Sequence, residues 1–346
     1  MGTAAPRVLF IGGTGVISTS CVRRAVEEGF EVYVLNRGRN TKGRSLPESV
    51  RWLVGDVSEP ASMVAALGEL RFDSVVNFLA FDVNDAGAAV DLFSDRTNQY
   101  MHISTAGMYR KPIAVLPIVE SNPRGNEFVK YFRDKIAAED RLMEAYVESG
   151  FPVTIVRPSH TYDETSPPLP SDWTMFERIE RGAEIVVPGD GTSLWTLTHA
   201  ADLALGLVGL IANPLAVGEA FHITSNDIYT WNQIYAIIGQ ALGVEVRLVH
   251  IPSDLISVGA PDWWWSDVIQ ADLSHSALFD TSKVRRLVPG FAPRMTFHRA
   301  VHEMVEWRRK HPEATVANPT SNAIIDRLVT GYHRAHEVFE SLAAQR

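Results

Sequence analysis

The chain has 346 residues, of which 46% are hydrophobic and 21% charged, and its formal net charge is −9. These values are ordinary for a soluble globular protein, and the length suffices for one large α/β domain or two lobes. The acidic balance argues against nucleic acid or an anionic membrane as the main partner. No apolar run approaches the ~20 residues of a membrane span and no signal-peptide pattern opens the chain, so we expect a cytoplasmic protein.

Metal and disulfide chemistry are not expected. Cys21 is the single cysteine, which excludes an intrachain disulfide and a cysteine-rich metal site. The eleven histidines are scattered, and no pair stands at zinc-binding spacing beside a carboxylate. We therefore expect no metal site.

A glycine turn near the start organises the chain. Apolar residues 8–11 precede Gly12-Gly13-Thr14-Gly15, and apolar residues at helical spacing follow. This order predicts a strand, a phosphate-binding turn and a helix. Ser18 takes the third small position, so the spacing is G-x-x-G-x-x-small rather than G-x-G-x-x-G. The residues expected to contact a dinucleotide here are Gly12, Thr14, Gly15, Val16 and Ile17.

The end of the second predicted strand bears on the choice of cofactor. Residues 31–35 predict that strand, and Asn36-Arg37 follows it. An acidic residue at this place would hold the ribose 2′-hydroxyl of NAD, whereas an arginine suits the 2′-phosphate of NADP. Arg39, Lys42 and Arg44 make the next loop basic, although a solvated basic loop is the alternative. We expect NADP, with NAD as the alternative.

Strands and helices then alternate. Strands are predicted at residues 50–54, 72–80 and 100–105, with helices at 60–70 and 86–93 between them. Five strands alternating with helices predict a doubly wound parallel sheet. The residues after the third and fourth strands that we expect beside the cofactor are Asp56, Val57, Phe78, Leu79 and Ala80, with Asp56 on the adenine amino group.

A hydroxyl pair and a later Tyr-Lys pair suggest acid–base chemistry. Thr105 ends the fifth strand, and Tyr131 and Lys135 are four residues apart in a long helical pattern. The lysine ammonium, with a positive nicotinamide, is expected to lower the pKa of the phenol. Thr105, or alternatively Ser104, would orient the substrate oxygen. Such a pair also occurs by chance on surface helices, but its place after a glycine turn favours catalysis.

These motifs together resemble those of extended short-chain dehydrogenases/reductases of the NAD-dependent epimerase/dehydratase family. The resemblance extends from residue 7 to about residue 310. Its segments are Gly12-Gly13-Thr14-Gly15, Gly55-Asp56, Ser104-Thr105 with Tyr109, Tyr131-x-x-x-Lys135, Val156-Arg157-Pro158, the H-A-A-D-L-A run from His199, and Phe279-Asp280-Thr281-Ser282-Lys283 with Trp307.

The resemblance implies an α/β fold with a Rossmann-type domain, a smaller C-terminal substrate-binding lobe, a nicotinamide cofactor and commonly a homodimer. We assign residues 1–158 to the dinucleotide-binding domain, with return segments around 195–230. Residues 159–194 and 231–346 form the substrate lobe and a C-terminal helical tail. Helices are predicted at 231–242, 295–309 and 322–344, and the last of these covers the lobe or a partner subunit.

The substrate pocket is expected where a proline-rich loop follows the sixth predicted strand, residues 152–156. Pro158 and His160 would lie beside the cofactor. The residues expected to contact substrate are Phe81, Thr105, Met108, Tyr109, His160 and Trp195.

Two departures from the family pattern bear on the substrate. Trp195 stands where sugar-nucleotide members usually carry a diphosphate-binding arginine. Asp262-Trp263-Trp264-Trp265 stands where a second arginine is usual. We therefore expect a sugar-like or polyhydroxy substrate without a nucleoside diphosphate. The tryptophans offer flat faces to a sugar ring, or else belong to the core or a dimer surface.

The predicted function is that of an NAD(P)-dependent oxidoreductase or epimerase, in which Tyr131 exchanges a proton with a hydroxyl or carbonyl group of a small molecule. A nucleotide-sugar 4-epimerase or dehydratase with tightly bound NAD is the enzymatic alternative. The other alternative is a cofactor-sensing or RNA-associated protein on the same fold. The complete set of Thr105, Tyr131 and Lys135 favours the enzyme, because a sensor has no chemical need for it.

Overall fold

The computed structural model describes residues 5–38 and 44–343, so Arg39 and Lys42 lie outside the described residues. The strands are β1 (Arg7–Ile11), β2 (Glu31–Asn36), β3 (Arg51–Val54), β4 (Ser74–Asn77), β5 (Tyr100–Ile103), β6 (Val153–Arg157), β7 (Thr161–Tyr162), β8 (Glu184–Pro188), β9 (Leu194–Thr196), β10 (Thr198–His199), β11 (Ala220–His222), β12 (Ile228–Thr230) and β13 (Arg247–Ile251).

The helices fall between these strands and extend past the last of them. They are α1 (Val16–Glu27), α2 (Pro60–Leu67), α3 (Val83–Phe93), α4 (Lys130–Ser149), α5 (Trp173–Glu180), α6 (Ala200–Gly209), α7 (Trp231–Leu242), α8 (Ser253–Gly259), α9 (Trp264–Val268), α10 (Ser282–Leu287), α11 (Phe297–Lys310) and α12 (Pro319–Ala343). Ala106–Met108 is a 3₁₀ turn, and Ile269–Leu273 is a single π-helical turn.

A seven-stranded sheet in the order β11-β6-β5-β4-β1-β2-β3 forms the centre of the fold. All neighbouring strands in it are parallel. The predicted doubly wound parallel sheet is therefore confirmed. The direction of winding reverses at β1 and β4, and ligands of such sheets bind at the carboxyl ends of the strands beside that reversal.

Helices cover both faces of the sheet, as the side chains of β1 show. Val8 and Phe10 pack into a core with α1 and α6, whereas Leu9 and Ile11 pack into a core with α2, α3 and α4. All four side chains are fully buried. Because both faces of β1 are buried, residues 8–11 are apolar throughout rather than alternating.

A third core lies in the C-terminal half. It is built from α5, α7 and α11 with the pairs β8–β13 and β9–β12, and Trp231, Tyr235 and Phe297 are buried in it. Asp202 joins this half to the sheet, because its carboxylate accepts the main-chain N–H groups of Arg294 (2.9 Å) and Met295 (2.8 Å).

The last helix packs on this third core through its first half only. Ile325, Leu328 and Val329 of α12 are buried there, whereas residues 333–343 are exposed. Among the residues that the structure describes, no helix is both long and apolar enough to cross a bilayer.

Candidate active site

The glycine turn between β1 and α1 has the geometry of a phosphate-binding turn. Gly12 has φ of +81°, and a Cβ there would lie 2.7 Å from Leu79 Cγ, so only glycine fits. The Ser18 hydroxyl donates to the Gly12 carbonyl (2.7 Å) and accepts the Gly15 N–H (2.7 Å). The third small residue therefore braces the turn, and the N-terminus of α1 opens beyond it.

A pocket of about 510 Å³ lies against this turn and the ends of β2 and β3. Most of the residues expected to bind the adenosine half of a dinucleotide line it. They are Gly12, Thr14, Gly15, Asn36, Arg37, Asp56, Val57 and Leu79, joined by Phe81 and Asp85.

The basic residues near this pocket differ in their surroundings. Arg37 is exposed on its wall, and the Asn36 Oδ1 accepts the Gly38 N–H at 2.8 Å. Arg44 is nearly buried, with its Nε 3.3 Å from Asp163 and its guanidinium bonded to the Thr165 hydroxyl. Arg44 was expected to help make a basic phosphate-binding loop, and that expectation is wrong because Asp163 neutralises it.

A second pocket, of about 430 Å³, lies at the ends of β4 and β5, and Phe81 lines both pockets. The two pockets therefore meet along the carboxyl edge of the sheet. The predicted site residues on the wall of the second pocket are Ile17, Phe78, Phe81, Thr105, Tyr131, Lys135, Pro158, His160 and Trp195. The side chain of Val16 lines neither pocket.

Lys135 fixes the start of α4 to the sheet. Its Nζ donates to the carbonyls of Ala80 (2.6 Å) and Ile103 (2.7 Å), and lies 5.9 Å from the centroid of the Tyr131 ring. An ammonium group has three donors, so one N–H remains beyond these two bonds. Ala80, expected beside the cofactor, thus contributes its carbonyl to the lysine.

The pKa values of the pair shift in opposite directions. Although 37% of the Tyr131 surface is exposed, desolvation of its phenolate raises the pKa to about 12. Burial lowers the pKa of Lys135 to about 8, and the carboxylates of Glu139 and Asp85 partly oppose that shift. The expected lowering of the phenol pKa by the lysine together with a positive nicotinamide stays a prediction for the protein with its cofactor bound, whereas desolvation raises this pKa in the protein alone.

Both hydroxyls after β5 line the second pocket. The Thr105 Oγ1 accepts the Gly107 N–H at 3.2 Å, which leaves its own proton to donate. The Ser104 hydroxyl is buried without a hydrogen-bond partner. The Thr105 hydroxyl, which a main-chain contact orients, can therefore donate to a substrate oxygen, whereas the Ser104 oxygen is buried.

Met108 and Tyr109 are fully buried and line neither pocket, so the expectation that they contact substrate is corrected. The Tyr109 hydroxyl bonds to His222 Nε2 (2.5 Å) and accepts from Arg157 Nη1 (2.9 Å). Ile118 and Phe279 pack over this tyrosine. It belongs to a buried polar network rather than to the site.

Trp195 and His160 form one fixed wall of the second pocket. Trp195 is only 2% exposed, and its Nε1 donates to the Leu273 carbonyl at 3.0 Å. His160 packs edge-on against Trp195, and burial lowers the pKa of its imidazole. These side chains shape the pocket, but Trp195 offers little free surface for stacking.

Another part of the wall comes from the C-terminal segment whose tryptophans were expected either to face a sugar ring or to belong to the core or a dimer surface. Trp263 is in the lobe core, whereas Trp264 and Trp265 line the pocket with ring centroids 4.6 Å apart. Asp272 also lines it and pairs with Lys111 at 2.7 Å. The tryptophan run was the only signal for this wall, because an isolated aspartate such as Asp272 carries no motif.

The residues that the structure describes contain no group of three or more His, Cys, Asp or Glu side chains placed to hold a metal ion. The functional groups of the second pocket include a phenol, an ammonium, two hydroxyls and a carboxylate. Together with the glycine turn and the joined pockets, this set defines a nicotinamide-dinucleotide enzyme on a Rossmann-type sheet.

The chain belongs to the NAD dependent epimerase/dehydratase family, whose family model matches residues 8–224. The resemblance to extended short-chain dehydrogenases/reductases is confirmed. The chain is an NAD-dependent oxidoreductase or epimerase of that type.

Two curated relatives and one solved structure illustrate the range of similar proteins. The 2′-dehydrokanamycin reductase of Streptomyces kanamyceticus is 25% identical over 293 residues, covering 83% of this chain and 80% of that protein. The chloroplast stem-loop binding protein of 41 kDa b of Arabidopsis thaliana is 25% identical over 259 residues, covering 70% and 65%. The structure of dTDP-glucose 4,6-dehydratase from Bacillus anthracis with NAD matches with a TM-score of 0.71 at 18% identity, covering 89% and 98%.

Proposed function

We propose that the protein reduces a carbonyl group of a sugar-like substrate with NADPH, and that Tyr131 supplies the proton. The observation that carries this proposal is the placement of Thr105, Tyr131 and Lys135 on one pocket that adjoins the dinucleotide pocket. The similarity to a reductase named for 2′-dehydrokanamycin supports reduction of a sugar carbonyl.

The described residues fit a dinucleotide. The braced glycine turn offers main-chain N–H groups to a diphosphate, and the two pockets that share Phe81 give room for its two halves. When bound, the nicotinamide supplies the hydride. The residues that would hold the cofactor are Gly12, Thr14, Gly15, Val16, Ile17, Asn36, Arg37, Asp56, Val57, Phe78, Leu79, Ala80, Tyr131, Lys135, Pro158 and His160.

The protein's own groups would carry the proton transfer. With its pKa raised to about 12, Tyr131 is protonated at neutral pH and is therefore ready to act as an acid. It would donate its proton to the carbonyl oxygen while the Thr105 hydroxyl donates a hydrogen bond to the same oxygen. Lys135, held by two carbonyls, would keep the phenol in place and use its remaining N–H on the nicotinamide ribose.

The preference for NADP rests on the end of β2. Arg37 is exposed on the wall of the adenosine pocket, where its guanidinium can pair with a 2′-phosphate. The Asn36 Oδ1 is taken by Gly38, which leaves the side-chain amide N–H groups as donors. Donors at this place suit a phosphate better than they suit a ribose hydroxyl.

Charge argues against a nucleotide-sugar substrate. Among the described residues that line the second pocket, Lys135 is the only lysine or arginine, and two carbonyls already hold it. A diphosphate in this pocket would lack cationic partners, and an unpaired buried charge costs several kcal/mol. We therefore propose an uncharged or cationic substrate.

The homodimer stays a prediction of the family resemblance. Phe128, just before α4, and Val147, on α4, are 63% and 79% exposed, and burial against a second copy would remove this apolar surface from water. Sedimentation equilibrium of the purified protein tests the prediction.

The function is tested by following nicotinamide absorbance with purified protein, NADPH or NADH, and a set of keto-sugars that includes 2′-dehydrokanamycin. Stoichiometric loss of NADPH with formation of the alcohol is the expected result. A retained cofactor that is not consumed while a sugar is interconverted with its epimer would instead establish the epimerase alternative.

A further inference from the structure

We propose that Asp272 binds an ammonium group of the substrate, which makes the second pocket a site for an amino sugar. This inference rests on the proposed function and names the substrate class of the same site. Asp272 and Lys111 form a buried ion pair, but only one of the two residues faces the pocket. The carboxylate lines the pocket and the ammonium does not, although the two are 2.7 Å apart.

The burial of the two side chains agrees with that asymmetry. The Lys111 side chain is 2% exposed and the Asp272 side chain 12% exposed. The lysine therefore sits behind the wall, on the far side of the carboxylate from the pocket. It pairs with Oδ1, and a carboxylate has about four acceptor positions on its two oxygens. Oδ2 is not the oxygen that pairs with Lys111, and it lies beside Gly107, in the turn after Thr105, where it would accept the ammonium group.

Several anchors hold Asp272 in this position. The Asn126 Nδ2 donates both to the Gly107 carbonyl (2.8 Å) and to the Ala271 carbonyl (2.9 Å). On the other side of Asp272 in the chain, the Leu273 carbonyl accepts the indole N–H groups of Trp195 (3.0 Å) and Trp231 (2.8 Å). The carboxylate is thus fixed relative to the turn that carries Thr105, as a specificity-determining group must be.

The surroundings of the carboxylate favour a cation over a neutral hydroxyl. Trp264 and Trp265 line the same pocket as an edge-to-face pair, and the face of an indole attracts ammonium groups. Burial lowers the pKa values of both His160 and His275, so neither adds a positive charge there at neutral pH. The positive charge of Lys111 weakens the long-range attraction between the Asp272 carboxylate and a substrate ammonium group. Binding of the ammonium group therefore depends on a direct hydrogen bond to Oδ2.

Calorimetry with protein saturated with NADP⁺ tests the inference, with kanamycin and glucosamine as probes and their N-acetylated forms as matched neutral ligands. The wild type should bind at least one amine about tenfold more tightly than its acetylated form, the range of a charge-assisted hydrogen bond. Asp272→Asn should abolish this preference. Asp267→Asn, an exposed change on α9 away from the pocket, should preserve it.

Asp272→Asn leaves Lys111 unpaired in a buried position and can prevent folding. A second variant therefore tests the inference without removing this ion pair. Trp264 is 55% exposed, so Trp264→Ala leaves the buried pair intact and should reduce the preference for the amine about two- to fivefold. A wild type with no preference for either amine over its acetylated form overturns the inference. If that protein still consumes NADPH with a neutral keto-sugar, the proposed function stands; if it consumes NADPH with no carbonyl compound, the proposed function fails as well.

Discussion

The ammonium of Lys135 lies 5.9 Å from the centre of the Tyr131 ring while it bonds to the carbonyl of Ile103, the last residue of β5, and to that of Ala80, in the segment that follows β4. The lysine therefore does more than face the phenol. It fixes the first two turns of α4 against the carboxyl edge of the sheet, where the two pockets meet. The position of Tyr131, the proposed proton donor, is thus set by the central sheet itself.

Lys135 should make stability depend on pH. Its folded-state pKa is lowered to about 8 from 10.5, so between these values the unfolded chain binds a proton that the folded protein does not. Raising the pH through this window therefore favours the folded state. Relative to Lys135→Met, the wild type should gain roughly 3 kcal/mol of unfolding free energy in urea titrations across the window.

The control for this titration is Lys130→Met, which removes an exposed lysine from the same helix and reports the loss of one lysine without burial. A difference between the wild type and Lys135→Met that stays constant or falls with rising pH would show that Lys135 is not desolvated.

Arg37→Ala should weaken NADPH binding by ~1.5–3 kcal/mol, the range for hydrogen bonds to a charged group, and leave NADH nearly unchanged. Fluorescence titration of both cofactors measures this. Arg44→Ala is the matched control, because Asp163 already neutralises Arg44. Equal losses for the two cofactors, or a wild type that prefers NADH, would refute the NADP assignment.

Gly107→Ala should destabilise the protein and displace the turn that orients Thr105. A Cβ on Gly107 would lie 2.4 Å from a Phe132 ring carbon, and overpacking of this kind costs about 1–3 kcal/mol. Gly87→Ala in α3 meets no atom within 4 Å and should stabilise by about 0.5–1 kcal/mol. Urea titrations compare the free energies of unfolding of both variants with that of the wild type. An unchanged free energy in Gly107→Ala would mean that the Phe132 ring moves away from the added Cβ at no cost.

UDP-glucose and dTDP-glucose should neither raise the thermal unfolding temperature nor turn over. The physical reason is the absence of a free cation from the described wall of the second pocket, where Trp195 stands at the family's arginine position. Micromolar binding of UDP-glucose by calorimetry would show that an arginine from elsewhere, such as Arg247 or Arg285, takes the diphosphate.

The sequence predicted those parts of the fold that local periodicity determines. The helix expected at residues 231–242 has those bounds in α7, and the alternation of strands and helices predicted the sheet. The strand β11 was not predicted, because its three residues are too few to show an alternation of apolar and polar side chains. Its place is set by pairing with β6, which lies far from it in the chain.

The sequence predicted the site residues that belong to the Rossmann-type sheet, but it did not predict that Asp272 lines the pocket. The glycine turn, Tyr131 and Lys135 belong to local motifs, whereas Asp272 reaches the pocket only because the C-terminal segment folds over it. Tyr109 was misplaced because closeness to Thr105 in sequence does not reveal that Ile118 and Phe279 bury it. The shift of the Tyr131 pKa was missed for the same reason, since desolvation depends on the folded surroundings.

The most direct test of the account is single-turnover reduction of a substrate carbonyl by NADPH-loaded protein, compared between the wild type and Tyr131→Phe. The variant should bind NADPH nearly as well and lower the rate of proton-coupled reduction by ~10²–10⁴. Tyr146→Phe changes another partly exposed tyrosine of α4, away from both pockets, and should keep the wild-type rate. A wild-type rate in Tyr131→Phe would contradict the assignment of Tyr131 as the proton donor.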